Sequence, residues 1–480
     1  MTTAEAGTLR PWAAASARWL LLALVLIQFF PLPKVPGVGV APINFVILAV
    51  LLLRGGSLAG LALRGGPLTT FVFALVIFGF LDWMHDFLVG SPPQNPARHI
   101  RAAVYILLLV DVCAYPASRV QVMKWLAAVA VAEVAFGGLV YFFGGSFELL
   151  RNWMLQSADS GERIIGVGSQ LAGAYGPPHI FSYLLAGFPF IVIVLFFTDR
   201  SIVWLIAIVV LFIGLFLNAE RSSAAVLLLG ALFMLFKTGQ SARNISLLLV
   251  LAVAFFLAQR LIGSRVPDAR VLTTSAYAHG TLADRFGGTD LAEVVDRVMY
   301  QVHGITSVLK HPLVGPTKAE YAKEVLGSGA ILSAQDVADV IAPHNHYINI
   351  GVRGGVAGWG LLAVALAAMW RAARVARSFT RDQPALRLQF LGVTVALLGV
   401  MANALFHNGG LFTPELATST LIGLLFALHH QAWRQAMVER ALAAAQRAGP
   451  ISPVAGSAAR GPADAKGGGA EAPAVASRRS

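Results

Sequence analysis

The stretch PHNHYINIGVRGGVAGWGLLAVALAAMW, residues 343–370, joins the longest polar segment of the chain to an apolar run with regularly spaced glycines. His344 and Asn345 stand at the end of the polar part, directly before the apolar run begins. The apolar run is long enough to cross a hydrocarbon layer of about 30 Å as a helix. The sequence therefore predicts a pair of polar side chains at the boundary of a membrane.

The composition of the whole chain is that of a polytopic membrane protein. Of its 480 residues, 57% are hydrophobic and 12% charged, and the mean hydropathy is +0.71, whereas a soluble chain of this length needs far more polar surface. We predict an all-α protein with about twelve transmembrane helices. The apolar runs lie near residues 17–32, 41–53, 68–88, 100–116, 123–144, 171–197, 202–218, 222–236, 244–262, 346–370, 386–406 and 414–433.

The distribution of basic residues predicts the orientation. The segment 371–387 carries five arginines, while the short connections 218–221 and 407–413 carry one between them. By the positive-inside rule both termini are expected in the cytoplasm. Much of the net charge of +12 lies beside spans or in the tail, where membrane lipids are its partners, so no nucleic-acid partner is expected. The only cysteine, Cys113, lies in an apolar run and can form no disulfide within one chain.

Four regions follow from these patterns. Residues 1–262 hold spans one to nine, 263–345 form a large periplasmic helical insertion, 346–433 hold spans ten to twelve, and 434–480 form a cytoplasmic, largely disordered tail rich in Ala, Gly, Pro and Ser. In the insertion, helical spacing of apolar residues predicts one helix from Asp290 until Pro312 ends it. A second helix is predicted over 318–326, and a third begins with Ser333 as its cap.

Four short motifs carry the candidate chemistry. The first is His344-Asn345, followed by Gly355-x-x-Gly358, and the second is Arg297, which precedes Pro312-x-x-Gly315 by fifteen residues. The third is LNAERSS, residues 217–223, which contains Arg221. The fourth is GPPHIFSYL, residues 176–184, which contains His179. All four fall on the same side of the membrane under the predicted orientation.

In this order and spacing, over roughly residues 170–430, the motifs resemble those of the bacterial O-antigen ligase and O-antigen polymerase superfamily. The chain departs from the family pattern at Gln301, at Pro316-Thr317 and at Glu220. The resemblance implies a fold similar to the multi-span GT-C-like glycosyltransferases. It also implies transfer of a polyprenyl-pyrophosphate-linked glycan donor to a hydroxyl of a glycan or lipid A core acceptor in the periplasm.

The residue types suit the reaction that the resemblance implies. His344 would be the base, since histidine titrates near neutral pH and can accept a hydroxyl proton. Arg221 and Arg297 would hold the pyrophosphate with bidentate donors, in place of a divalent metal. Asn345 would orient His344 or the acceptor. Inversion at the anomeric carbon is expected, and no cofactor.

Other assignments are open for several of these residues. A single interfacial arginine often only extends its charge towards water, and Arg285 rivals Arg297 as the pyrophosphate ligand. His344 and His346 could form a metal pair, but residues two apart on a helix diverge, so we expect no metal. We include Asn345, Arg285 and three histidines as candidate substrate-binding residues: His346, His179 and His407. Asp82, His85 and Asp86 are secondary candidates that could simply solvate a helix end.

The competing class is a multi-span transporter or lipid-linked glycan flippase. Against it stand the large predicted insertion and the absence of acidic residues well inside most spans, where ion-coupled carriers need them. The choice between ligase and polymerase stays open, as do the sugar and the acceptor.

Overall fold

The computed structural model describes residues 11–30, 32, 41–88, 96–143, 145–147, 149–150, 171, 174, 178–218, 221–238, 291–326, 343, 345–407, 409–412 and 416–447. Within these ranges the regular secondary structure is entirely α-helical, which confirms the predicted class. In chain order the helices are α1 Pro11–Phe29, α2 Pro42–Leu63, α3 Pro67–Leu88, α4 Ala97–Cys113, α5 Pro116–Phe143, α6 Pro178–Asp199, α7 Ile202–Asn218, α8 Arg221–Thr238, α9 Leu291–Lys310, α10 Lys318–Leu326, α11 His346–Thr380, α12 Pro384–Asn403 and α13 Leu416–Arg447.

Six helices of the described residues are long and apolar enough to cross a membrane: α2, α3, α5, Phe181–Asp199 within α6, α11 and α12. Three shorter apolar helices, Ala15–Ile27, Ile202–Leu215 and Ser222–Lys237, fall where further spans were predicted. The predicted span 244–262 lies outside the described residues. The chain thus has the helices of a multi-pass membrane protein.

The helix at the centre of the bundle is α6, whose side chains from Phe181 to Leu195 are buried. It packs against α5, α7, α8 and α12. Glycines allow the backbones to approach closely: a Cβ on Gly399 would lie 2.8 Å from the Ala186 carbonyl oxygen. Small residues are the usual means of close helix packing in membranes.

The second helix is longer than its apolar run predicted. The run was expected to end at residue 53, before Arg54, but α2 continues to Leu63. Arg54 is buried, and its guanidinium is paired with the carboxylate of Asp111, which also accepts a hydrogen bond from the Ser57 hydroxyl at 3.2 Å. The ion pair lets the helix continue through a position whose charge would otherwise be costly to bury.

The first two helices predicted in the insertion are present as α9 and α10, and the segment of the third, from Ser333, lies outside the described residues. A capping box begins α10: the Glu320 N–H donates to Thr317 Oγ1 at 3.0 Å, and the Thr317 N–H donates to Glu320 Oε2 at 2.7 Å. The Tyr321 hydroxyl donates to the Tyr300 carbonyl at 3.0 Å, so α10 packs on α9. Burial there raises the pKa of Tyr321.

The chain divides into two compact units, Met1–Ala432 and Trp433–Ser480. The last span was expected to end at residue 433, but α13 continues to Arg447, so the first described residues of the predicted tail are helical. In the second unit the Gln435 amide donates to Glu439 Oε1 at 3.2 Å, one turn apart. The stretch AMVERALAAAQR is rich in strong helix formers, which accounts for the extension.

Candidate functional site

The turn after α9 packs directly onto a break in α11. Gly355 has φ +60° and ψ −155°, a conformation that is open essentially only to glycine. The Val356 N–H donates to the Pro312 carbonyl at 2.8 Å. A Cβ on Gly355 would lie 2.4 Å from that oxygen, and one on Gly315 would lie 2.1 Å from the Val352 carbonyl oxygen. The Pro-x-x-Gly and Gly-x-x-Gly motifs therefore form a single contact.

The break makes α11 two helices that fold against each other. The Trp359 indole N–H donates to the Tyr347 carbonyl at 2.9 Å, although twelve residues of straight helix are about 18 Å long. A Cβ on Gly351 would lie 2.4 Å from the Trp359 ring, and one on Gly358 would lie 2.6 Å from the Ile350 carbonyl oxygen. Residues 346–370 were predicted as one span, but two of the glycines instead pack the two halves of α11 together.

Asn345 caps the first half of α11. Its backbone is extended, and its Oδ1 accepts hydrogen bonds from the Tyr347 N–H at 3.0 Å and the Ile348 N–H at 3.3 Å. The side chain is buried, and its Oδ1 is hydrogen-bonded to the residues that directly follow it. Asn345 thereby fixes the start of the helix that directly follows His344.

His346 joins the start of α11 to the turn after α12. Its backbone N–H donates to the Ala404 carbonyl at 2.9 Å, and its ring Nε2 accepts a hydrogen bond from the Phe412 backbone N–H at 3.3 Å. A Cβ on Gly410 would lie 2.6 Å from the His346 ring, so the turn lies against the imidazole. The Phe412 carbonyl accepts a hydrogen bond from His99 Nε2 at 2.9 Å. His346 thus holds this turn together, and its predicted role in substrate binding stays a prediction.

A second group of polar side chains connects the starts of α6 and α8 to the end of α12. Asn403 is fully buried, and its Oδ1 accepts from Ser222 Oγ at 2.6 Å and from Ser223 Oγ at 3.2 Å. Its Nδ2 donates to Ser182 Oγ at 3.0 Å. Ser222 follows Arg221 directly, and Ser182 is three residues after His179. Asn403 therefore joins two of the sequence motifs, although nothing in its own surroundings in the sequence marked it.

His407 lies beside this group. Its Nε2 is 3.5 Å from Ser222 Oγ, and its ring meets the Tyr183 ring edge-on with 6.0 Å between centroids. The Tyr183 hydroxyl donates to the Gly409 carbonyl. The turn 404–412 consequently touches the starts of α6, α8 and α11, which makes it the common neighbour of three of the four motifs.

The polar side chains near the C-terminal end of α3 do not solvate a helix end. Asp82, His85 and Asp86 are all buried. Arg353 pairs with Asp82 through its Nε and with Asp86 through its Nη2, the latter at 3.1 Å. His85 Nε2 lies 2.9 Å from the Pro316 carbonyl oxygen and can donate to it. This cluster holds both α11 and the turn after α9 against α3. The signal for Arg353 was present in the sequence, as the only charge in the run 346–370.

Other predicted site residues are described only by their backbone or not at all. Arg221 is the first residue of α8, Arg297 lies in α9, and His179 lies in the first turn of α6. His344 and Arg285 lie outside the described residues. Contacts between α9 and the start of α11 are close: a Cβ on Gly304 would lie 2.7 Å from the Ile348 side chain. The helix of Arg297 therefore packs on the helix that follows His344.

Two charged residues within α5 are buried. Arg119 is fully buried and donates to Gln389 Oε1 at 2.8 Å, to Gln431 Oε1 at 2.8 Å and to the Cys113 carbonyl at 3.1 Å. Glu133, near the middle of the same helix, is also fully buried. An acidic side chain inside a membrane-crossing helix is a feature of ion-coupled carriers.

Comparisons with known proteins assign no family to this arrangement. No protein-family model matches the chain, and a search of curated proteins found no match to it. Any functional interpretation therefore depends on the residues themselves.

Proposed function

We propose that the chain is an inner-membrane glycosyltransferase of the O-antigen ligase or polymerase type, acting in lipopolysaccharide or exopolysaccharide assembly. It has twelve spans, both termini in the cytoplasm, and residues 263–345 as a periplasmic insertion. The enzyme transfers a polyprenyl-pyrophosphate-linked oligosaccharide to a sugar hydroxyl of a glycan or lipid A core acceptor.

The observation that carries this proposal is the meeting of the four motif regions. The turn 312–315 packs on the break at Gly355, and the start of α11 contacts the turn 404–412. The turn 404–412 also contacts the starts of α6 and α8. Segments more than 200 residues apart in the chain thus converge around the first half of α11, the helix that follows His344.

In the proposed reaction the acceptor hydroxyl oxygen attacks the anomeric carbon of the donor. The bond between that carbon and the pyrophosphate oxygen breaks, His344 takes the hydroxyl proton, and polyprenyl pyrophosphate leaves with its electron pair. Arg221 and Arg297 bind the pyrophosphate and stabilise the negative charge that grows on its oxygens. The step needs no metal and no other cofactor.

The remaining candidates take supporting roles. Arg285 and His179 contact the donor. Asn345 positions His344, because its Oδ1 caps the helix that begins one residue later. His346 and His407 maintain the shape of the site through the turn 404–412.

The test is a transfer assay with the purified chain in lipid nanodiscs and a defined polyprenyl-pyrophosphate glycan donor. We expect His344→Gln to lower the rate by about 10²- to 10⁴-fold, as is usual when a general base is lost. His429→Gln is the matched control, because this histidine lies in α13, about 20 Å along the helix from its start. Transfer should also continue in EDTA. Near-normal activity of His344→Gln would refute the assigned base, and loss of turnover in EDTA that Mg²⁺ restores would refute the metal-free step.

A carrier or lipid flippase is the second candidate, and the buried Glu133 and Arg119 of α5 favour it. Under this alternative Glu133→Gln abolishes transport of the lipid-linked glycan across vesicles, and His344→Gln leaves transport unchanged. Loss of glycan transfer in His344→Gln with intact transport favours the enzyme.

A further inference from the structure

The exposed face of α9 is apolar, although this helix is not one of the candidate spans. In the residues of α9 whose side chains are described, the exposed positions are Val298, Met299, Val302, Ile305, Leu309 and Lys310. Four of the five apolar residues recur at helical spacing on one face. The exposed fractions of Val302 and Leu309 are 50% and 65%. A helix that faces water carries polar residues on that side, so this face is built for apolar surroundings.

The apolar face continues through the turn 312–315 onto a membrane-crossing helix. Leu313 is 84% exposed. A Cβ on Gly355 would lie 2.8 Å from the backbone carbon of Leu313, so Leu313 borders the point at which the second half of α11 begins. The next residue of α11, Val356, is 50% exposed. The stripe of α9 therefore joins the lipid-facing surface of the bundle without a polar gap between Leu313 and Val356.

The depth of Gly355 in the membrane follows from the length of the second half of α11. Residues 356–370 precede the first of its arginines, Arg371, and are about 22 Å long as a helix. Trp370 is exposed, and Arg374 lies over its ring at 6.0 Å, as in the aromatic belt of a membrane boundary. Trp370 thus marks one boundary of the hydrocarbon layer. Because that layer is about 30 Å thick, Gly355 lies no farther from Trp370 than the opposite boundary.

We propose that α9 and Leu313 form an interfacial anchor that lies in the plane of the phospholipid bilayer, with its apolar face at the boundary of headgroups and acyl chains. Its inner face, with Gly304, Ser307 and Val308 buried, holds the helix on the protein. The anchor requires only that α3 and α11 cross a membrane, and it is independent of the proposed glycan transfer. It would fix the insertion at the depth where a lipid-linked substrate presents its headgroup.

The test uses the full chain with Cys113 replaced by alanine, reconstituted in phosphatidylcholine nanodiscs. Single cysteines at Val302 and Leu309 carry an environment-sensitive fluorophore, and Lys323→Cys on α10 is the matched control, because its side chain is exposed on a polar helix. We expect lipids with a doxyl group near the headgroup to quench the labels at 302 and 309 at least about threefold more than the label at 323, as for an interfacial helix. Aqueous iodide should show the reverse order.

Two results overturn the anchor. If iodide quenches the labels at 302 and 309 as strongly as the label at 323, the apolar face is in water. If neither quencher reaches positions 302 and 309, a protein surface covers the face, either a second copy or another partner. Because the readout is fluorescence and not turnover, failure of the proposed transferase activity leaves this test intact.

Discussion

Replacing Gly355 with alanine tests whether the break in α11 sets the geometry of the site. The free energy of unfolding should fall for two reasons. Alanine in a backbone conformation with φ +60° and ψ −155° costs about 1–3 kcal/mol. The new Cβ, 2.4 Å from the Pro312 carbonyl oxygen, forces the turn to move and costs a further ~1–3 kcal/mol. We expect a total loss of about 2–6 kcal/mol.

Gly360→Ala is the matched control on the same helix. Gly360 is exposed, and no heavy atom lies within 4 Å of the Cβ that alanine would add. This variant should be more stable than wild type by about 0.5–1 kcal/mol, the usual helix preference for alanine. Both variants are compared by thermal unfolding in nanodiscs. Equal unfolding temperatures for Gly355→Ala and Gly360→Ala would refute the claim that the turn 312–315 is locked on the break.

Three further predictions concern the surroundings of the site. Arg353→Gln leaves the buried carboxylate of Asp82 without its cation, so we expect the free energy of unfolding to fall by about 3–5 kcal/mol in thermal or denaturant unfolding. Adding Asp82→Asn should recover part of this loss. No recovery would mean that the pair contributes little. Asn345→Ala removes a helix cap and should cost about 1 kcal/mol, whereas Asn345→Asp should preserve stability, since aspartate caps equally well. The Thr317 N–H lowers the pKa of Glu320, so the cap stabilises α10 above the ordinary value of 4.5 and is lost as pH falls below it. Hydrogen exchange of residues 318–326 should therefore accelerate in acid in wild type, and Glu320→Gln should remove this dependence.

The sequence located the elements whose signals are local. Apolar runs predicted the helical class and most of the candidate spans, because an apolar surface must match the thickness of the lipid layer whatever its neighbours are. The helix 318–326 was predicted with its observed bounds, since its cap residues lie within the same short stretch. The predicted end of α2 was wrong, because the charge of Arg54 is neutralised by Asp111, which is 57 residues away.

Candidate site residues were predicted from motifs, but their contacts were not. Asn403 joins Ser182 to Ser222 across three helices, and Arg353 pairs with Asp82 over 271 residues of chain. Neither pairing has a periodic or spacing signal, because a polar side chain in a helix is satisfied by whichever residue the packing places opposite it. The hydrogen bond of His346 to Phe412 likewise depends on where packing places the turn 404–412.

The chain by itself therefore determined that this is a helical multi-pass membrane protein with a polar segment before its glycine-rich helix. Only the tertiary structure decided that this helix breaks at Gly355 and folds back on itself. The reason is that glycine adopts positive and negative φ with nearly equal ease, so the sequence permits the break without requiring it. The contact with the Pro312 carbonyl, which exists only once α9 and α11 have packed, selects the broken form.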